Sequence, residues 1–257
     1  MSTEYEPSDD YGLLKRNYAE EPVGTVCGSY TGELASRDRW PERIARANER
    51  RAFPIHFHKF YNVPILDQTK FRYCWMFSVV AGMMNRYAFQ GINEPVPYLS
   101  ATAAAATGTN YSNRGGYISD AVRMIQEQGG VPTVDVWPQE QMRARQAEQP
   151  DIDKSRKDNQ LTEFIDFGRD LDAAISAMTA ETPIPCAFAL PWWKHAVLGL
   201  EVIDTKQGRP ESLDRYGIRF VNSYGPTWME TGFGEFYGDK MQSWEIIGIS
   251  HVLPRDE

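Results

Sequence analysis

The stretch Asp67-Gln68-Thr69-Lys70-Phe71-Arg72-Tyr73-Cys74-Trp75-Met76-Phe77-Ser78 changes from polar to apolar at Cys74. Beyond it, Cys74, Trp75, Phe77, Ser78, Val80, Ala81, Met84, Tyr87 and Ala88 recur at helical spacing, and Gly91 supplies a stop. A helix apolar on nearly every side belongs in the middle of a protein. Cys74 stands at its amino end, where unpaired backbone N–H groups and the helix dipole favour an anion. A thiolate placed there has a lowered pKa and becomes a nucleophile at neutral pH. A Cys beside a Trp is equally an ordinary core residue, so the reading turns on whether the chain also supplies a base and an oxyanion site.

The sequence around this helix is that of a globular protein. The 257 residues carry 42% hydrophobic and 24% charged side chains, which excludes wholesale disorder and collagen-like repeats. The length suits one large domain or two small ones. No apolar run approaches a membrane span. The acidic, polar start Met1 to Asp10 is unlike a secretory signal. A net charge of −8 with no basic tail argues against nucleic acid. Three cysteines, Cys27, Cys74 and Cys186, are too few for a disulfide framework. A soluble protein of a reducing, cytoplasmic setting or of an intracellular assembly is expected, with no metal or other cofactor.

Helices are expected over Trp40 to Arg51, Ser119 to Gln128 and Asp170 to Thr179. Strands are expected over Pro185 to Leu190, His195 to Ile203, Tyr216 to Val221, Gly234 to Tyr237 and within Trp244 to Val252. The Ala103 to Ala106 run carries no signal of its own, and the polar stretch Glu140 to Asn159 reads as a surface excursion. Helices crowd the first half and strands the second, an α+β pattern with a helical lobe, a β lobe and a cleft between them.

Four motifs resemble the papain family of cysteine peptidases. Gln68 to Ser78 is similar to its Q-x5-C-W-x-F-S signature, and Ser112-Asn113-Arg114-Gly115-Gly116-Tyr117 resembles the loop that lines its substrate cleft. His195-Ala196-Val197 resembles the strand that carries its base. Asn222-Ser223-Tyr224-Gly225 with Trp228 and Gly232 resembles the block that holds its orienting Asn. The match runs from about residue 53 to 240, with Cys, His and Asn in the family's order. The resemblance implies a papain-like two-lobed fold and an endopeptidase acting on protein or peptide substrates through an acyl-enzyme. Cys74 would be the nucleophile, His195 the base and Asn222 the group that orients it, while Gln68 and the Cys74 N–H would hold the oxyanion. Gly115 and Gly116 would let a substrate backbone pair as an added strand, and Trp228 would cover the Asn–His contact. On this reading residues 1–52 form an N-terminal extension or arm. Residues 53–257 form the catalytic domain, with its helical lobe at about 66–135 and its β lobe at about 136–257.

Departures from the family limit the transfer. Phe71 and Asn113 stand where the family has a pair of disulfide-bonded cysteines. Arg72 and Tyr73 replace small residues before the nucleophile, which implies a narrowed, positive wall on the substrate site. Lys194 precedes the base and would oppose its protonation, Tyr224 replaces a Trp, and Pro191-Trp192-Trp193 takes the place of a longer segment. The linker Asp204 to Asp214 reads as an inserted hairpin loop. The family's long inhibitory propeptide is not recognisable, so an attachment arm for a larger assembly or a simple extension ranks ahead of a short inhibitor. These departures also motivate an alternative: a catalytically silent scaffold kept for binding or assembly.

Overall fold

The computed structural model describes residues 12–24, 28–91, 95–143 and 149–252. The long apolar segment forms α3 (Cys74–Gln90), closed by Gly91 in the left-handed region at φ 64°. All but three of its seventeen residues are buried. Before it come α1 (Trp40–Glu49) and α2 (Pro54–Phe60); after it come α4 (Ala101–Gly108), α5 (Ile118–Glu127), α6 (Gln149–Asp158) and α7 (Leu171–Met178). Asp170 caps α7 by accepting from the Ala173 N–H, and Ser100 caps α4 in the same way through Ala103.

Six strands, β1 (Leu161–Gly168), β2 (Cys186–Leu190), β3 (His195–Asp204), β4 (Tyr216–Val221), β5 (Phe233–Tyr237) and β6 (Ile246–Val252), form one antiparallel sheet in the order β1-β6-β2-β3-β4-β5. The helix α3 lies against β3, β2 and β6, so one apolar core joins the helical half to the sheet. This is the α+β architecture expected from the segregation of helices and strands.

The differences have local causes. The Ala-rich run is the helix α4, with Ala101, Ala103, Ala104, Ala105 and Ala106 all buried; uniformly small side chains give no periodic contrast to read. The supposed surface excursion includes α6, anchored by the fully buried Ile152. Residues Leu161–Gly168 form an unexpected strand, β1, which pairs with β6.

The N-terminal extension is no separate body. Trp40, Ile44 and Ala47 are buried in the main core, Trp40 meets the Tyr216 ring edge-on at 5.0 Å, and Arg43 donates to Ser176 O at 2.9 Å. Ahead of α1, Leu13 forms a parallel bridge with Gly116 and Gly28 forms one with Ile165. Residues 1–11 and Cys27 lie outside the described residues.

Candidate active site

Three segments converge: the amino end of α3, the first residue of β3 and the loop after β4. A four-residue turn, Pro191 to Lys194, joins β2 to β3, closed by the register pair Leu190 and His195, with Lys194 at φ 51°. His195 enters the strand fully buried, whereas Lys194 is exposed.

The protonation pattern of His195 follows from its neighbours. Asn222 Oδ1 accepts the backbone N–H of Ser223 at 2.8 Å, which identifies that atom as the amide oxygen because a peptide N–H can only donate. The same oxygen lies 2.7 Å from His195 Nε2. In the neutral ring the proton therefore sits on Nε2, and Nδ1 keeps its lone pair. Nδ1 lies 3.4 Å from the Tyr224 hydroxyl, whose ring stacks on the imidazole at 4.7 Å. Asn222 Nδ2 is buried with no hydrogen-bond partner among the described residues.

Gln68 is fixed just as firmly. Its Nε2 donates to Phe71 O at 2.9 Å and its Oε1 accepts from Ser223 Oγ at 2.5 Å; reversing the amide would set its oxygen against the Phe71 carbonyl, which can only accept. The second Nε2 hydrogen is thereby left for another acceptor. The Gln68 N–H donates to Ser223 O at 2.8 Å, and Asp67 bridges to Tyr224, so the loop that carries Gln68 is tied to the loop that carries Asn222. The sequence carries no sign of this role for Ser223: a Ser in a turn motif gives no hint of a partner 155 positions away.

Cys74 is the first residue of α3, fully buried and not in a disulfide. Its sulfur lies against the backbone N–H of Ala196, the residue after His195, and that amide, with those of Trp75 and Cys74, pulls the thiol pKa down. Burial outweighs them and pushes it up to about 12. Burial likewise pushes His195 down to about 4, against the hydrogen bond it donates to Asn222. In this enclosed state the thiol and the neutral imidazole are the stable forms, whereas the position at the helix terminus alone suggested a thiolate.

The expected strand-pairing edge is occupied from within the chain. The Gly116 N–H donates to Gly12 O at 2.9 Å, and the Leu14 N–H donates to Gly116 O at 3.0 Å. A Cβ on Gly115 would lie 2.4 Å from Gly12 O, and one on Gly116 would lie 2.7 Å from the Trp75 ring.

The other expected contacts divide. Arg72 is exposed, but Tyr73 is fully buried and points its hydroxyl at Ser112 O at 2.9 Å, so it builds no wall of a substrate site. Trp228 belongs to an aromatic cluster: it stacks on Trp193 at 5.9 Å, and Trp193 in turn touches His195 at 4.7 Å. Trp192 is the half-exposed outer member, stacked on Trp193. Where a disulfide is missing, Asn113 clips the same two loops, accepting the Arg72 N–H at 2.7 Å and donating to Lys70 O at 3.3 Å. Among the described residues no group of three His, Cys, Asp or Glu is placed to hold a metal ion, and no helix is long and apolar enough to cross a membrane.

Comparison with known proteins gives the same grouping. The family described as papain family cysteine protease matches residues 58–249. No curated protein matches the chain. Among solved structures, the Amb a 11 cysteine protease of ragweed pollen in its proform has a TM-score of 0.57 at 14% identity, covering 82% of this chain and 66% of that one. Digestive procathepsin L 3 of the Tenebrio molitor larval midgut gives 0.53 at 15%, covering 72% and 65%. Xylellain, a cysteine protease from Xylella fastidiosa, gives 0.53 at 15%, covering 74% and 83%. The chain thus spans slightly less than two thirds of the two proforms it resembles.

Proposed function

Because the chain belongs to the papain family of cysteine proteases, we propose that it hydrolyses peptide bonds through Cys74, His195, Asn222 and Gln68. The observation that carries this reading is the Asn222 amide. Its oxygen fixes the His195 proton on Nε2, so that the base is the lone pair on Nδ1. Nδ1 takes the thiol proton as Cys74 Sγ bonds to the scissile carbonyl carbon. The spare Gln68 N–H and the Cys74 N–H stabilise the oxyanion, at about 3 kcal/mol per donor. The imidazolium then gives its proton to the leaving amine, and the carbonyl reforms as a thioester. In the second half Nδ1 takes a proton from water, the hydroxide adds, and the thiol leaves with its proton restored.

Gly12 to Leu14 lie on the edge that a substrate backbone would use, which favours an inhibitory segment over the attachment arm or plain extension ranked ahead of it. Displacing the segment readmits water, which lowers the thiol pKa and raises that of the imidazole.

Iodoacetamide or an E-64-type epoxide is expected to label Cys74 and spare Cys186 and Cys27, as read by peptide mass mapping. Cys74→Ser and His195→Ala should each abolish cleavage of a proteome-derived peptide library while leaving Tm within a few °C. Equal labelling of all three cysteines would overturn the assignment. The alternative, a silent scaffold for assembly, is favoured by the complete burial of Cys74 and His195. It would be supported by no turnover from the wild type or from a variant with a displaced arm, together with stoichiometric co-purification with a larger particle.

A further inference from the structure

Arg16 is the most deeply buried cation of the arm, with 1% of its side chain exposed. Its Nη1 lies 2.7 Å from Asp166 Oδ2 and 3.2 Å from Glu245 Oε1, and its Nη2 donates to Pro22 O at 3.0 Å. Glu21 Oε2 is 3.5 Å from Nε, and the Tyr18 ring centre is 4.8 Å from the guanidinium carbon.

These partners fall into two sets. Pro22, Glu21 and Tyr18 belong to the arm and would leave with it. Asp166, on β1, and Glu245, just before β6, belong to the body and are almost fully buried. The body shapes both carboxylates by itself. Glu245 accepts the N–H groups of Ile118 at 2.8 Å and Ser119 at 3.1 Å, the first two residues of α5. Asp166 Oδ1 accepts the Gly168 N–H at 2.9 Å, while its Oδ2 also accepts the arm's Gly24 N–H at 2.9 Å. Among the described residues Arg16 is the one basic side chain paired with either carboxylate.

The place of this socket is as informative as its charge. Ile118, which grips Glu245, is two residues beyond Gly116, and Gly116 pairs with Leu13, three residues before Arg16. An extended chain laid on Gly116 therefore runs past two buried carboxylates, and a planar guanidinium can bridge both. Resting on the peptidase reading, we propose that the Asp166–Glu245 socket is a specificity subsite that takes an Arg or Lys side chain of the substrate, and that Arg16 fills it in cis. Without a cation the two carboxylates would face each other in the protein interior, where both cannot stay ionised. Burial already pushes Glu245 up to about 7 with Arg16 in place.

Arg16→Ala in the full chain vacates the socket. A positional-scanning fluorogenic peptide library, read with this variant, should show roughly tenfold preference for Arg and Lys over Leu and Glu at one position on the acyl side of the cut. Glu245→Gln added to Arg16→Ala should flatten that preference; should that variant fail to fold, Asp166→Asn takes its place. Agmatine, a guanidinium on an alkyl chain, should raise the Tm of Arg16→Ala by a few °C and leave the wild type unmoved. Turnover with no basic preference at any position would overturn the subsite and leave the peptidase reading standing. No turnover from any peptide, by this variant or by one whose arm is displaced through Gly115→Ala, would overturn both. An Arg16→Ala protein indifferent to agmatine would reduce Arg16 to a structural ion pair.

Discussion

At Gly115 the missing Cβ has a measurable consequence. An added methyl would sit 2.4 Å from the carbonyl oxygen of Gly12, and backbone cannot yield as a flexible side chain can. Gly115→Ala should therefore displace residues 12–16. The expected outcomes are faster amide exchange over that segment and alkylation of Cys74 by iodoacetamide about tenfold faster at pH 7, as solvation brings the thiol pKa down. Unchanged exchange and alkylation would mean that the arm does not control access. The four residues in the proposed chemistry were legible in the sequence because each role demands a particular side chain: a thiol, an imidazole and two amides at recognisable spacing. Ser223, which fixes the Gln68 amide, and Asn113, which clips two loops, were not legible. Their partners are remote in sequence, and hydrogen-bonding side chains in turns are common everywhere.

Among the elements, α3 is the one on which the site depends, since it presents Cys74 to the strand that carries His195. Its fit to the sheet is tight at Gly82, where a Cβ would lie 2.7 Å from Ile249 and 3.3 Å from Leu198. A Gly in a helix interior normally costs stability relative to other residues; here the close approach to β6 and β3 outweighs that. Gly82→Val is expected to destabilise the protein by about 1–3 kcal/mol through overpacking, measured by urea denaturation. No change, or a gain, would mean that α3 and the sheet can move apart freely. Elements with contrast in their sequence were legible: α3 by its apolar run and terminal Gly91, α7 by its stripe behind Asp170, and β2 to β4 by short apolar runs. The helix α4 lacked contrast, and α6 shows a single buried apolar anchor, Ile152, in a charged segment.

For the molecule as a whole, the buried titratable groups set a pH dependence of stability. His58 and His195 are both pushed down to about 4, with burial the main cause and their Asn partners opposing it. The unfolded chain binds protons at these rings below the ordinary 6.5 while the native state does not. Their contribution is therefore complete above pH 6.5 and is lost as pH falls toward 4. Glu245 runs the other way. Burial raises it to about 7, so its contribution is complete below the ordinary 4.5 and is lost as pH rises toward 7. Between pH 6.5 and 4.5 the losses at His58 and His195, to which His56, also lowered by burial, adds, outweigh the single gain at Glu245, so stability falls as the pH drops. Urea denaturation across this range would measure it, and a flat profile would mean that the imidazoles are hydrated in solution.

Side-chain type, spacing and local periodicity were enough to read the α+β class, the family and the candidate catalytic set from the chain alone. Tertiary structure alone decided the tautomer of His195, the orientation of Gln68 and the neutral, enclosed state of the Cys74 site. It also decided that the amino-terminal segment lies along Gly116 with Arg16 between two acids. The reason is physical: that pairing is made by backbone N–H and C=O groups, which every sequence carries alike. Burial and proton position, in turn, depend on neighbours that only the folded chain brings together.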